Sequence, residues 1–208
     1  MIETLKKGQT LTTEAGGGVV VEHLLGSGGQ GEVYQVQWQG KPFALKWYYQ
    51  HTATDGQLRN LRELVRRGSP DPRFLWPLDI VPPGTGAVGY GYVMRLRGSN
   101  YRGIIDLMAR RSEPTFRALA TAGLQLADCY LKLHARGFCY CDISFGNVFW
   151  NDTTGDVLIC DNDNVIENGQ RPEVAGTIGF MAPEVTVVPR TADPSIHTDK
   201  HSLAVLLF

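Results

Sequence analysis

The amino-acid sequence predicts an α+β fold in two lobes, an antiparallel sheet with one helix followed by a mainly helical part. Three observations carry this expectation. Short β-branched and alternating runs punctuated by glycine fill residues 19–97, and they enclose a single helical stripe at 56–67. At Gly98-Ser99-Asn100 the pattern breaks and turns helical, its longest stretch covering 115–136.

Residues 1–18 read as a polar lead-in that ends in glycines. Residues 19–25 form a β-branched run entering a glycine-rich loop, and 32–37 and 41–49 are two further strands joined by a turn at Gln39-Gly40. The helix over 56–67 places Leu58, Leu61, Leu64 and Val65 on one face and stops at Gly68, with Pro70 and Pro72 beyond. Strand patterns return at 74–81 and 87–96, so the first lobe spans 19–97 and the second 98–208. In the long helix, Leu119, Leu124, Ala127, Leu131 and His134 are the expected buried face, with Gly137 closing its end. The last apolar run, SLAVLLF, stops at Phe208 and reads as a second lobe cut short.

Of the 208 residues, 43% are hydrophobic and 20% charged, the balance of a soluble globular chain. A formal charge of -1 offers no field to concentrate a polyanion, so nucleic acid is not an expected partner. No apolar run approaches the roughly eighteen residues of a membrane span, and MIETLKKGQT lacks a signal-peptide pattern; no membrane partner and a cytoplasmic location are expected. Cys129, Cys139, Cys141 and Cys160 lack C-x-x-C spacing and read as small buried hydrophobes.

Five motifs occur in order. The first, Gly26-Ser27-Gly28-Gly29-Gln30-Gly31-Glu32-Val33, lies between two predicted strands, where glycines let backbone N–H groups approach phosphate oxygens with no Cβ in the way. A dinucleotide-binding loop would need a helix next, and here a strand follows. The second, Phe43-Ala44-Leu45-Lys46, ends a strand on a cation able to reach phosphates. The third, YCDISFGN, sets Asp142 five residues before Asn147, a base and a metal ligand on one loop. In the fourth, the apolar strand Val157-Leu158-Ile159-Cys160 delivers Asp161, a carboxylate suited to magnesium. The fifth is GTIGFMAPE at 176–184, after which Asp199-Lys200-His201-Ser202-Leu203 opens the last helical run.

In this order and spacing the motifs resemble the eukaryotic-like Ser/Thr protein kinases of bacteria, over residues 25–203. The resemblance implies a two-lobed kinase fold, incomplete in its second lobe, and phosphoryl transfer from ATP with Mg, or Mn, to a protein Ser/Thr. It implies that Gly26, Ser27, Gly28, Gly29, Gln30, Gly31, Val33 and Ala44 line the nucleotide and that Lys46 pairs its phosphates. Met94 falls at the gatekeeper position, Arg95 and Leu96 in the hinge, and Phe149 under the adenine. Asp142 becomes the catalytic base, Asn147 and Asp161 the metal ligands, and Thr177 the threonine beside the base. Residues 176–184 resemble the end of an activation segment, where a protein substrate docks; small-molecule kinases of this fold lack it. Bacterial kinases of this kind also suggest a PP2C-type phosphatase as partner.

The sequence departs from that pattern in several places. Tyr140-Cys141-Asp142 replaces His-Arg-Asp, so no arginine awaits a phosphorylated loop, and Thr177 is the only hydroxyl side chain between Asp161 and Glu184. Control by activation-loop phosphorylation is therefore not expected. Ser144 stands where a lysine is usual, which removes a cation from the transferring phosphate. Asp161-Asn162-Asp163 replaces Asp-Phe-Gly, with the role of Asp163 open. Either Glu63, Asn60 or neither occupies the position that pairs Lys46. These departures keep a second reading, a nucleotide-binding pseudokinase scaffold, beside the enzyme, and a small-molecule kinase behind both.

Overall fold

The computed structural model describes residues 4–84, 88–172, 176–187 and 192–208. They form two compact units, Met1–Ser69 with Trp76–Arg97, and Pro70–Leu75 with Gly98–Phe208.

The first unit is built on β1 (Thr10–Thr12), β2 (Gly18–Ser27), β3 (Gly31–Trp38), β4 (Lys41–Tyr48), β5 (Asp79–Val81) and β6 (Gly91–Arg95), with α1 (Asp55–Arg67) after β4. They pair antiparallel in the order β1-β2-β3-β4-β6-β5. Gln39 and Gly40, both at positive φ (51° and 73°), make the two-residue turn that matches strand twist and brings Trp38 opposite Lys41. Because side chains alternate along a strand, one face becomes a dry core of Val19, Val21, Tyr34, Val36, Leu45, Trp47, Val81 and Val93. The other face presents Val33, Ala44, Lys46, Tyr92 and Met94, which stand on directly opposed positions.

The lead-in is more than a lead-in. Leu5 and Leu11 are fully buried in the core and Thr10–Thr12 is an edge strand on β2, too short to show an alternating pattern. In α1 the Thr54 side chain accepts from the Gln57 N–H, and the Gly68 N–H, at φ 69°, closes on the Leu64 carbonyl. Its buried side chains are Gln57, Leu58, Leu61 and Leu64, each leucine contributing about 1.5–3 kcal/mol by leaving water.

The strands expected over 74–81 and 87–96 are shorter, part of the second falling outside the described residues. Only Asp79–Val81 and Gly91–Arg95 join the sheet. Phe74 and Leu75 belong to the second unit, where the Leu75 N–H bonds the Ile159 carbonyl and the Ile159 N–H bonds that of Arg73.

The second unit contains β7 (Arg102–Gly103), α2 (Ile105–Met108), α3 (Phe116–Ala135), β8 (Phe138–Cys139), β9 (Val148–Trp150), β10 (Val157–Ile159), β11 (Ile166–Glu167), α4 (Pro183–Thr186) and α5 (Ile196–Leu207). Its strands make two small antiparallel sheets, β10-β9-β7 and β11-β8, which the expectation of a helical pattern after Gly98 did not resolve. They are two or three residues long and carry no periodicity to read. α3 starts at the Thr115 cap and buries Ala118, Ala122, Leu126, Cys129, Tyr130 and Leu133. This corrects the expected face in part: Leu119, Ala127 and Leu131 are exposed and Leu124 is 72% exposed, whereas His134, its side chain 9% exposed, lies inward as expected. Apolar residues occur all round this helix, and packing of Tyr130 edge-on against Phe74 and Tyr140 selects which side turns inward.

Under α3, the buried carboxylate of Asp71 accepts from Arg73 at 2.7 Å and from Lys132 at 2.8 Å, and Arg73 also binds Asp128. The Arg73 guanidinium, followed by Lys132, holds the Asp71 carboxyl well below the usual carboxylate range against the opposing effect of burial. Burial pushes the neighbouring Cys129 thiol up to about 12.

Candidate active site

In the first unit, the glycine-rich segment is the β2–β3 hairpin end. Ser27 pairs with Glu32, Gly26 with Val33, and the Gly28 N–H bonds the Gly31 carbonyl at 2.8 Å. Side chains built on Gly26, Gly28 or Gly29 would meet nothing, so the backbone there is open to a ligand. Gly31 has another reason to be glycine: a Cβ would run into the Trp47 carbonyl oxygen of β4. Gln30 ties the loop down, its carbonyl accepting the Tyr49 N–H at 3.0 Å and the Thr52 hydroxyl at 2.5 Å. Next in the chain, Glu32 is buried. Burial raises its pKa, but the Tyr34 hydroxyl and the Thr4 N–H, both donating to the carboxylate, bring the net shift downward.

Lys46 sits mid-strand on the second face of the sheet, 5% exposed, with Val33 and Tyr92 beside it. Its ammonium donates to Gln30 Oε1 at 3.2 Å and lies 5.5 Å from the centre of the Tyr48 ring. Glu63 is turned to Arg66, which it binds through two hydrogen bonds of 2.6 and 2.8 Å on the outer side of α1. Asn60 is half-buried on the same helix. Met94 lies buried opposite Ala44, Arg95 ends β6 and Leu96 follows it.

In the second unit, the loop from β8 to β9 brings two predicted side chains, Asp142 and Asn147, together with Thr177. Asp142 Oδ1 accepts the Thr177 N–H at 2.8 Å and the Thr177 hydroxyl at 2.6 Å. Asn147 Nδ2 donates to the Asp142 carbonyl at 2.8 Å and to Asp142 Oδ2 at 3.0 Å. With its NH₂ committed in this way, Asn147 has its amide oxygen left to accept. The Cys160 N–H bonds the Asn147 carbonyl at 3.0 Å, which sets Asp161 next along the chain from Asn147's own backbone. Among the described residues no three His, Cys, Asp or Glu side chains converge as a metal cluster. A carboxylate with an amide oxygen is a donor set that suits hard, water-retaining Mg²⁺, so the residues present fit it.

The backbone is strained where the chemistry is expected. Cys141 (φ 71°) and Asp161 (φ 49°) are both left-handed non-glycine residues. Ser144 is a buried hydroxyl, and Phe149 is half-buried in β9 opposite Leu158. Phe145 and Phe180 meet edge-on at 4.9 Å, holding residues 177–180 against the loop.

Asp199, expected only to open the last helical run, also supports this loop. Only 2% exposed at the start of α5, it accepts the Tyr140 N–H at 2.6 Å, the Cys141 N–H at 3.0 Å and a contact with His134 Nε2 at 2.9 Å. The Tyr140 hydroxyl in turn donates to the Cys160 carbonyl, and burial raises its pKa well above the usual value. The sequence signal for Asp199 is a carboxylate in the first turn of a helix, next to the capping box of Ser195 and Thr198.

The order of these elements, an antiparallel sheet with one helix and then a helical unit with a hydrogen-bonded Asp–Asn loop, defines a protein-kinase-like α+β fold. Among solved structures, vaccinia related kinase 3 is similar to this chain with a TM-score of 0.73 at 17% identity, over 99% of this chain and 68% of the other. No family profile matches the sequence. No curated protein matches it either. Among the described residues no helix is long and apolar enough to cross a membrane.

Proposed function

We propose that the protein transfers the γ-phosphoryl group of ATP to a Ser or Thr hydroxyl of a protein substrate with Mg²⁺, Mn²⁺ being an alternative cation. The observation that carries this reading is the Asp142 carboxylate, aimed by Thr177 on one oxygen and Asn147 on the other. A carboxylate fixed in this way accepts the proton of an incoming hydroxyl as its oxygen bonds to phosphorus and the bond to the ADP oxygen breaks. Lys46 would hold the nucleotide phosphates, with the open backbone of Gly26, Gly28 and Gly29 over them. Asn147 and Asp161 would hold the cation, which when bound offsets negative charge on the phosphate oxygens.

Support for a protein substrate comes from residues 176–184, whose Thr177 is built into the Asp142 site. That engagement of Thr177 also supports control other than by phosphorylation of this segment. A second reading, a nucleotide-binding scaffold, is favoured by Ser144, a buried hydroxyl where a cation would serve the transition state.

Calorimetric titration with ATP, with and without Mg²⁺, followed by transfer of labelled γ-phosphate to a mixed protein substrate, separates the two. Mg²⁺-dependent binding with transfer that disappears in Asp142→Asn supports the enzyme. Binding without transfer supports the scaffold, and the absence of Mg²⁺-dependent binding overturns both.

A further inference from the structure

Cys139 and Cys141 stand on the chain just before Asp142, and their sulfurs are 3.5 Å apart. Cys139 ends β8 and is fully buried, while Cys141 is half-buried and within reach of a small solute. Cys129 is on the buried face of α3, and the Cys160 thiol lies against the Gly146 carbonyl at 3.9 Å. A disulfide needs sulfurs about 2.05 Å apart, so Cys139 and Cys141 are a small side-chain movement from that bond.

The pair is also wired to the loop. The Tyr140 and Cys141 N–H groups end on Asp199, and Cys141 is held in the left-handed region at φ 71°. Gly176 crosses its carbonyl so closely that a Cβ there would stand 2.7 Å from the oxygen, and the next residue is Thr177, the donor to Asp142. A covalent link that shifts Cys141 therefore acts on both ends of the Asp142 alignment.

We infer that Cys139 and Cys141 form a peroxide-responsive thiol pair whose disulfide displaces the Asp142 loop. Its effect on transfer rests on the function proposed above. Hydrogen peroxide converts the accessible Cys141 thiol to a sulfenic acid with release of one water. The Cys139 thiol then attacks that sulfur, the S–O bond breaks, and a second water leaves; two thiols are oxidised and one peroxide is reduced. A ring closed over a single intervening residue is strained and is readily reopened by dithiothreitol.

The experiment treats the full chain with a few equivalents of hydrogen peroxide and reads intact mass, peptide maps and amide hydrogen exchange. The expected result is a loss of about 2 Da, two hydrogen atoms, located to the peptide that holds Cys139 and Cys141. Exchange at the Tyr140 and Cys141 amides should quicken at least tenfold, and dithiothreitol should reverse both changes. Cys139→Ala should instead leave a sulfenic acid at Cys141 that dimedone traps. If that variant does not fold, Cys141→Ser, which keeps a side chain of similar size, must show no mass loss. Transfer activity, as the ratio of oxidised to reduced protein, should fall at least tenfold in the wild type and stay near one in the variants. No disulfide, direct over-oxidation of Cys141, or a disulfide that leaves amide exchange unchanged each overturns the inference. Should the reduced protein transfer no phosphate, the failure belongs to the proposed function, and mass and exchange still decide the thiol pair.

Discussion

The two units hold their functional groups in different ways. In the first, the backbone decides: glycines at 26, 28 and 29 leave open space, Gly31 lets β3 lie against β4, and strand register alone brings Lys46 beside Val33 and Tyr92. In the second, side chains far apart in sequence decide. Thr177 reaches Asp142 across 35 residues and Asp199 reaches the amides of Tyr140 and Cys141 across 59 and 58. A site set by local backbone tolerates most changes of side chain around it, whereas one set by distant carboxylates fails when one of them is removed.

On the proposed function, the largest effect should come from Asp142→Asn, which keeps the shape but would remove the proton acceptor. Transfer should fall by a factor on the order of 10²–10⁴ while ATP binding stays within about twofold. Lys46→Ala should do the reverse and weaken ATP binding about 10–100-fold in calorimetry, the range of a charge-assisted contact to phosphate. Equal loss of binding in both variants would erase the division of labour between the units.

Next come two variants that compare the two kinds of support directly. Asp199→Asn cannot accept two backbone N–H groups and His134 equally well, and should lower unfolding free energy by about 1–3 kcal/mol and reduce transfer with little change in ATP affinity. Gly31→Ala should cost a similar 1–3 kcal/mol from the collision with Trp47, with its kinetic penalty in KM for ATP rather than kcat. Denaturant melts of both, with kcat and KM, test the contrast.

The smallest effect is one of pH. Because Arg73 and Lys132 hold the Asp71 carboxyl below its ordinary value, their ion pairs contribute stability above about pH 4, and that contribution is lost as pH falls toward the folded-state pKa. Asp71→Asn should therefore lower Tm at pH 6 and differ less from the wild type at pH 3.

This same contrast governs what was legible in the sequence. The turn at Gln39-Gly40, the α1 stop at Gly68 and the glycine-rich hairpin depend on neighbours within a few residues, and composition and period show them. The edge strand Thr10–Thr12 and the two- and three-residue strands of the second unit are below the length at which a period exists. The extent of α3 is legible but most of its buried face is not, because Leu124 and Leu131 are apolar and yet exposed, and the choice is made by Phe74 and Tyr140 from elsewhere in the chain. Asp142, Asn147, Asp161 and Thr177 stand out by motif; the bonds that join Asp142 to Asn147 and Thr177, and the part played by Asp199, exist only once the chain has closed on itself. The Lys46 contact with Gln30 has the same origin, since it depends on how the hairpin folds back over β4.

The bond from the Tyr140 amide to Asp199 also has a meaning in time. At about 5–20 residues per second of synthesis, the carboxylate is made roughly 3–12 s after the amide it will hold. Throughout that interval the left-handed turn at Cys141 has no anchor at its N–H, so a nascent chain can carry every residue of YCDISFGN while the loop waits for α5 to give it its shape.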